Sequence, residues 1–301
     1  MTYLKLFLTA TFWGGTFIAG RMLAQTVQPF SAAFSRFIIA SLTLVLITYR
    51  MEGRLPRLAK TQWLAVGLLG MSGVFAYNFC FFKGLQSIHA SRASLIVATN
   101  PIFISLLASL SFKEKMKWLN GVGVVLSVFG AMVVISRGDV QEIVRGNIGP
   151  GELFIFGCVA SWVAYSLIGK VVMKDLSPLI AVSYSAVIGT VLLFWPAYSE
   201  GLLSKVVDYS TVDWLSLCYL GWFGTVLGFL WYYQGIQAIG PARASQFINF
   251  VPVSAIVLAF LLLGEPVTRS LITGAGLVLG GLYLTNATRA GQRGSSQKGI
   301  Y

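Results

Sequence analysis

Ten apolar runs set the terms for this chain: 4–24, 30–49, 63–84, 91–112, 118–137, 150–172, 178–196, 212–236, 243–263 and 269–288. A helix needs about 20 predominantly apolar residues to cross the hydrocarbon of a bilayer. Backbone polar groups in lipid must pair within the chain, so spanning segments are helices or strands of a closed barrel. Continuous apolar runs, rather than alternation, select helices. Of the 301 residues, 56% are hydrophobic and 11% charged, and the mean hydropathy is +0.77. An all-α integral membrane protein is expected. The net charge of +12 does not point to nucleic acid, because the basic residues sit in short loops where they set orientation. Cys80, Cys158 and Cys218 lie inside apolar runs without metal-ligand spacing and read as small core residues. The first run lacks a clear cleavage site and reads as the first span rather than a leader.

The chain also repeats itself. At an offset of 151, Gly84-Leu85-Gln86-Ser87-Ile88 returns as Gly235-Ile236-Gln237-Ala238-Ile239, and Arg92-Ala93-Ser94 as Arg243-Ala244-Ser245. The same offset places Gly70 on Gly221, Gly73 on Gly224, Pro101 on Pro252 and Glu114 on Glu265. Upstream, an offset of 149 pairs Trp13 with Trp162, Gly20 with Gly169 and Pro29 with Pro178. Two like halves in a lipid-soluble chain place a solute pathway between them. The expected division is a first five-helix repeat at 1–137, an outer linker at 138–149, a second repeat at 150–288 and a disordered cytoplasmic tail at 289–301. With the N-terminus inside, inner loops hold 14 basic residues and outer ends 8, and most acids fall outside. Both termini are therefore expected in the cytoplasm. Five is odd, so the second half starts on the opposite face and the repeats are inverted.

Pro101 and Pro252 stand about ten residues into the fourth and ninth runs. A mid-helix proline removes a hydrogen bond and kinks the helix, either as a static bend or as a paired gating hinge. Thr99, Asn100, Gln246 and Asn249 nearby need partners on other helices or a polar cavity. Trp13 and Trp162 stand out among many aromatics because they recur at matching depth. Arg36, two turns into the second run, and Lys83 read as snorkelling side chains. No Asp or Glu lies at mid-span, which disfavours a carboxylate relay and a cationic-drug site. Gly70-Met71-Ser72-Gly73 matches the G-x-S-G of intramembrane serine proteases. The single histidine, His89, falls roughly 20 Å further along, and the counterpart of Ser72 is Phe223. No catalytic residue is assigned.

The doubled G-(L/I)-Q-x-I-x-x-(A/S)-R-A-S, the paired prolines and the paired Glu114 and Glu265 resemble the EamA-type, ten-helix transporters of the drug/metabolite transporter superfamily. Within it, the chain is similar to bacterial inner-membrane exporters of aromatic amino acids. The resemblance implies a central cavity between inverted halves. Its walls map to Trp13, Thr16, Tyr77, Phe81, Ser94, Asn100, Trp162, Tyr165, Tyr232, Gln246 and Asn249. It implies export of neutral or hydrophobic amino acids by alternating access, with lipid and solute as partners, no cofactor or metal, and a monomer. A nucleotide-sugar or phosphorylated-metabolite carrier is the alternative. It would want a central Lys or Arg, and the sequence shows none at mid-depth.

Overall fold

The computed structural model describes residues 1–53, 56–112, 118–135 and 149–296, and every regular element among them is helical. In chain order these are α1 (Thr2–Thr26), α2 (Pro29–Glu52), α3 (Lys60–Leu85), α4 (90–112) and α5 (Trp118–Ile135). They continue as α6 (Pro150–Val172), α7 (Pro178–Ser199), α8 (Thr211–Ile239), α9 (241–263) and α10 (Arg269–Ser296), with a short helical turn at 202–208. Seven of the described helices are long and apolar enough to cross a membrane: α2, α3, α6, α7, α8, residues 90–108 of α4 and residues 245–263 of α9. Their outward faces carry exposed Leu42, Val191, Trp195 and Leu261, a surface that needs lipid rather than water. Glu114, the basic group Lys113, Lys115 and Lys117, and nearly all of the linker (138–148) lie outside the described residues.

Helix starts follow the chemistry of unsatisfied N–H groups. Pro29, Pro150 and Pro178 occupy the first positions of α2, α6 and α7, where a missing donor costs little. Glu200, after α7, accepts from Phe30 N (3.2 Å), Ser31 N (2.7 Å) and Ser31 Oγ at the start of α2. Glu265, after α9, does the same for α4 through Ala90 N (2.9 Å), Ser91 N and Ser91 Oγ (2.6 Å). A carboxylate at a helix N-terminus satisfies donors and the dipole together.

Both α3 and α8 pass through a π-helical turn, Gly70–Ala76 and Leu220–Leu227. Glycines let neighbours approach there. A Cβ on Gly70 would lie 2.9 Å from Ser185 O on α7, and one on Gly221 3.2 Å from Arg36 O on α2. Gly73 accommodates Tyr165 of α6, and Gly224 accommodates Thr16 of α1. Likewise Gly84 receives Ile155 of α6 and Gly235 receives Leu6 of α1. Each contact recurs with the halves exchanged. Two residues even meet their own repeat counterparts: Ser41 Oγ lies 2.8 Å from Thr190 Oγ1, and Trp13 packs on Trp162.

The structure revises two expectations about helix continuity. Pro101 does not kink a continuous helix: α4 ends its first piece at Val97, and a new helix begins at Asn100, so the proline sits in a first turn. Pro252 similarly opens the segment Phe250–Leu263 after a 3₁₀ stretch at Ser245–Asn249. α10 stays helical to Ser296, past the expected boundary at 288. Ala287, Arg289, Ala290 and Gln292 favour helix and no proline stops it; residues 297–301 lie outside the described residues.

Candidate functional site

The two tryptophans define a cavity where the halves meet. Their rings stand edge to face at 5.1 Å between centroids, and Tyr77 (5.3 Å) and Phe229 (5.1 Å) close on Trp162. The cavity is lined by Trp13, Thr16, Phe17 and Arg36 of the first two helices, and by Tyr77 and Phe81 of α3. Val97 and Asn100 of α4, Trp162 of α6, Phe229 of α8 and Ile248 and Val251 of α9 complete it. Backbone placement explains why the rings gather. Trp13 is anchored by Nε1 donating to Gly224 O (2.9 Å), within the π turn of α8. Phe17 stacks edge to face on Phe81 at 5.3 Å. Edge-to-face pairs add to the burial of large rings and hold the aromatic wall together.

Arg36 breaks that apolar wall. Reading it as a snorkelling side chain was wrong: the residue is 3% exposed. Its Nε donates to Thr225 Oγ1 (2.9 Å) and Nη1 to Asn78 Oδ1 (2.9 Å). Both partners bond to carbonyls of the π turns. Such a turn leaves carbonyls out of register with the α-helical ladder. Thr225 donates to Leu220 O five residues back (3.0 Å), and Asn78 Nδ2 donates to Val74 O (2.8 Å). The side chains that satisfy those carbonyls present their remaining oxygens to Arg36. The expectation of a cavity without a central cation is therefore overturned. Arg36 lies on the inward face of α2, and the protein keeps its guanidinium there by hydrogen bonds instead of letting it reach water.

Of the residues expected at the site, Trp13, Thr16, Tyr77, Phe81, Asn100 and Trp162 are brought together on the cavity wall. Tyr165 and Tyr232 form the layer behind it. Tyr232 touches Trp13 and Trp162 at 5.3 and 5.5 Å and its hydroxyl meets Ser166 Oγ at 3.2 Å. Tyr165 stacks on Tyr233 at 4.8 Å. Ser94 is buried in α4 and donates to Ser91 O (2.7 Å), away from the wall. Gln246 and Asn249 border a separate surface cleft with Phe250 and Tyr283. The 3₁₀ stretch they occupy advances about 120° per residue rather than 100°, which changes the face those amides present. Sequence reasoning missed Phe17, Arg36, Val97, Phe229, Ile248 and Val251. Val97 and Ile248 are repeat counterparts, and Val251 is the counterpart of the expected Asn100, so the offset was a usable signal. Ser72 donates to Leu68 O (2.8 Å) within its own helix, while His89 pairs with Glu265 at 3.5 Å. Serine and histidine are thus engaged elsewhere. Among the described residues no group of His, Cys, Asp and Glu is arranged to hold a metal.

Known proteins agree with this layout. The model of the EamA-like transporter family matches residues 1–136 and again 149–287. The chain belongs to that family. It is 30% identical over 283 residues to "Uncharacterized transporter YyaM" of Bacillus subtilis, covering 93% of this chain and 92% of that protein. It is 26% identical to a "Probable terminal-alkyne amino-acid exporter" of Streptantibioticus cattleyicolor, with 96% and 94% covered. It is also 26% identical to a "Probable amino-acid metabolite efflux pump" of Salmonella typhimurium, with 92% of each covered. A crystal structure at 18% identity has the same fold, with a TM-score of 0.66 over 95% of this chain and 98% of that one. The protein is a multi-pass membrane transporter of the EamA type.

Proposed function

We propose that this transporter exports amino acids, aromatic and other neutral or hydrophobic ones, with related metabolites, across a bacterial inner membrane by alternating access. The observation that carries the reading is the cavity between the halves: an aromatic box with a single polar wall, the shape of a solute with one charged end and one apolar end. Two relatives, a probable terminal-alkyne amino-acid exporter and a probable amino-acid metabolite efflux pump, support it. Ten helices in two inverted repeats, both termini cytoplasmic, supply the framework. The reciprocal glycine contacts and the meeting of Ser41 with Thr190 support an axis relating the halves. The breaks before Pro101 and Pro252 are the natural hinges on either side. Since Trp13 and Trp162 are in ring contact, solute entry parts them.

Counterflow in proteoliposomes containing only this protein tests the reading. Phenylalanine, tyrosine, tryptophan and methionine should exchange; glycine and aspartate should exchange poorly. Efficient exchange of a nucleotide sugar or sugar phosphate would replace it with the second reading, which Arg36 now favours more than the sequence did. The cavity nevertheless offers one guanidinium, two of whose nitrogens are already engaged, against the two or more charges of such a solute. Inversion has its own test. Ser87 and Ala238 are repeat counterparts, both exposed, Ser87 in the turn after α3 and Ala238 in the last turn of α8. In a cysteine-free background, Ser87→Cys and Ala238→Cys should label from opposite faces of the membrane; labelling from one face removes the inversion.

A further inference from the structure

A cation survives deep in an apolar chain where it meets an anion or does work on one. Arg36 stands about 10 Å along α2 from Pro29, at 1.5 Å per residue. No aspartate or glutamate pairs with it among the described residues. Its two protein partners are neutral oxygens, so the planar fork is fixed in orientation while its charge stays uncompensated. Its nearest ring is Phe37, 5.3 Å from Cζ to the centroid. Nη2 lies beside Gly224, 3.3 Å from where a Cβ would stand. A glycine there is what leaves the guanidinium room.

Asn100 supplies the second observation. It is 1% exposed, lines the same cavity from α4, and neither Oδ1 nor Nδ2 has a hydrogen-bond partner. Buried amides are rarely left so, because an unmet donor in a low dielectric is costly. The Asn100 amide and the Arg36 charge therefore call for one guest. An anion with two oxygens meets the guanidinium with one and the Asn100 Nδ2 donor with the other, leaving Oδ1 to accept from a water. Among the described residues no carboxylate lines the cavity to receive an ammonium group; the rest of the solute meets Trp13, Tyr77 and Trp162.

Resting on the transporter reading above, we infer that Arg36 and Asn100 form the receptor for the solute's carboxylate, and that the cavity selects amphipathic monocarboxylates by that group rather than by an amino group. Asn78 and Thr225 are positioning residues: they hold the guanidinium through Nη1 and Nε from α3 and α8. One carboxylate neutralises one guanidinium, so the loaded site carries no surplus charge when the walls close over it. A phosphate dianion would leave one.

The test uses the intact protein in nanodiscs, with binding read from the cavity tryptophans and phenylalanine as reference. Hydrocinnamate keeps the carboxylate and lacks the amino group; phenylalaninamide keeps the amino group and lacks the carboxylate. Hydrocinnamate should compete within about ten-fold of phenylalanine, and the amide at least about 30-fold more weakly, the scale of losing a buried charge partner. Arg36→Gln should bring acid and amide to similar, weak affinity, with Arg36→Lys recovering part of the preference. Asn100→Ala should weaken the acids and leave the amide unchanged. The wild-type comparison stands even where a variant fails to fold. Equal binding of acid and amide by the wild-type protein overturns the proposal, as does an acid preference that survives Arg36→Gln. Amino-acid exchange with no acid preference would sink this receptor and leave the transport reading intact. Binding of hydrocinnamate and octanoate without any amino-acid exchange would do the reverse.

Discussion

The halves of this transporter share a backbone plan and divide the chemistry between them. Arg36, Asn78 and Asn100 of the first half correspond under the repeat to Ser185, Phe229 and Val251 of the second. Equivalence is visible in the packing: Gly70 nestles against Ser185 O as Gly221 does against Arg36 O. Asn100 and Val251 face the same cavity, as do Val97 and Ile248. The polar cavity residues Thr16, Arg36 and Asn100 therefore all come from the first half, while the second half contributes only apolar ones, Trp162, Phe229, Ile248 and Val251. On the alternating-access reading proposed above, the shared scaffold would serve two similar gates and the unequal lining would orient the solute. Thr225 is the exception that joins them, a second-half residue whose counterpart is Val74.

Substitutions at matched positions can break that division, beginning with the most severe. Gly73→Val should cost more than Gly224→Val. A Cβ at Gly73 would stand 2.2 Å from the Tyr165 ring, held on every side, against 2.7 Å from Thr16 Cγ2. Overpacking of this kind costs about 1–3 kcal/mol or more; thermal unfolding in detergent should rank the two variants in that order. Equal losses would mean the π turns yield alike. Next, Asn78→Leu should destabilise by about 2 kcal/mol because a buried charge loses an acceptor, and should weaken carboxylate solutes selectively. Its counterpart change Phe229→Leu should cost about 1 kcal/mol through lost packing and weaken every solute alike. If the two binding profiles coincide, the walls are not specialised.

Smaller effects are expected at the edges. Glu265→Gln and Glu200→Gln each keep a cap acceptor and lose a charge at a helix start, worth about 0.5–1 kcal/mol. Hydrogen exchange should show faster opening at the start of α4 in the first variant and of α2 in the second. Pro101→Ala and Pro252→Ala come last. Both prolines sit in first turns, so stability should change by less than about 1 kcal/mol. Transport slowed without loss of binding would sharpen their role as hinges; unchanged transport in both would leave them as helix starters.

Much of the scaffold was legible because lipid imposes a simple code. Apolar length marked the helices, and the repeat offset marked which glycines and which tryptophan would recur. The recurrence of Gly70, Gly73 and Gly84 under the offset was readable, though not what they contacted. The site was half legible. Trp13 and Trp162 announced themselves by recurrence, but Arg36 did not, since an arginine two turns from a helix end reaches water from one face and a cavity from the other. Only packing decides which face turns inward. Gln246 and Asn249 were misplaced for a related reason: a local 3₁₀ winding has no sequence mark strong enough to read, and it re-aims every side chain that it carries.

The exchanged packing of α1 on α8 and of α6 on α3 has a consequence for how such a chain is made. Leu6 seats on Gly235, and Lys5 Nζ donates to Gln234 Oε1 across 229 residues of sequence. At about 5–20 residues per second of synthesis, the first helix waits roughly 10–50 seconds for its partner. In that interval its glycine-rich face is unoccupied, and the lipid or the insertion machinery must shield it. Chains interrupted before α8 should be cleared quickly by membrane proteases, however well their individual helices insert.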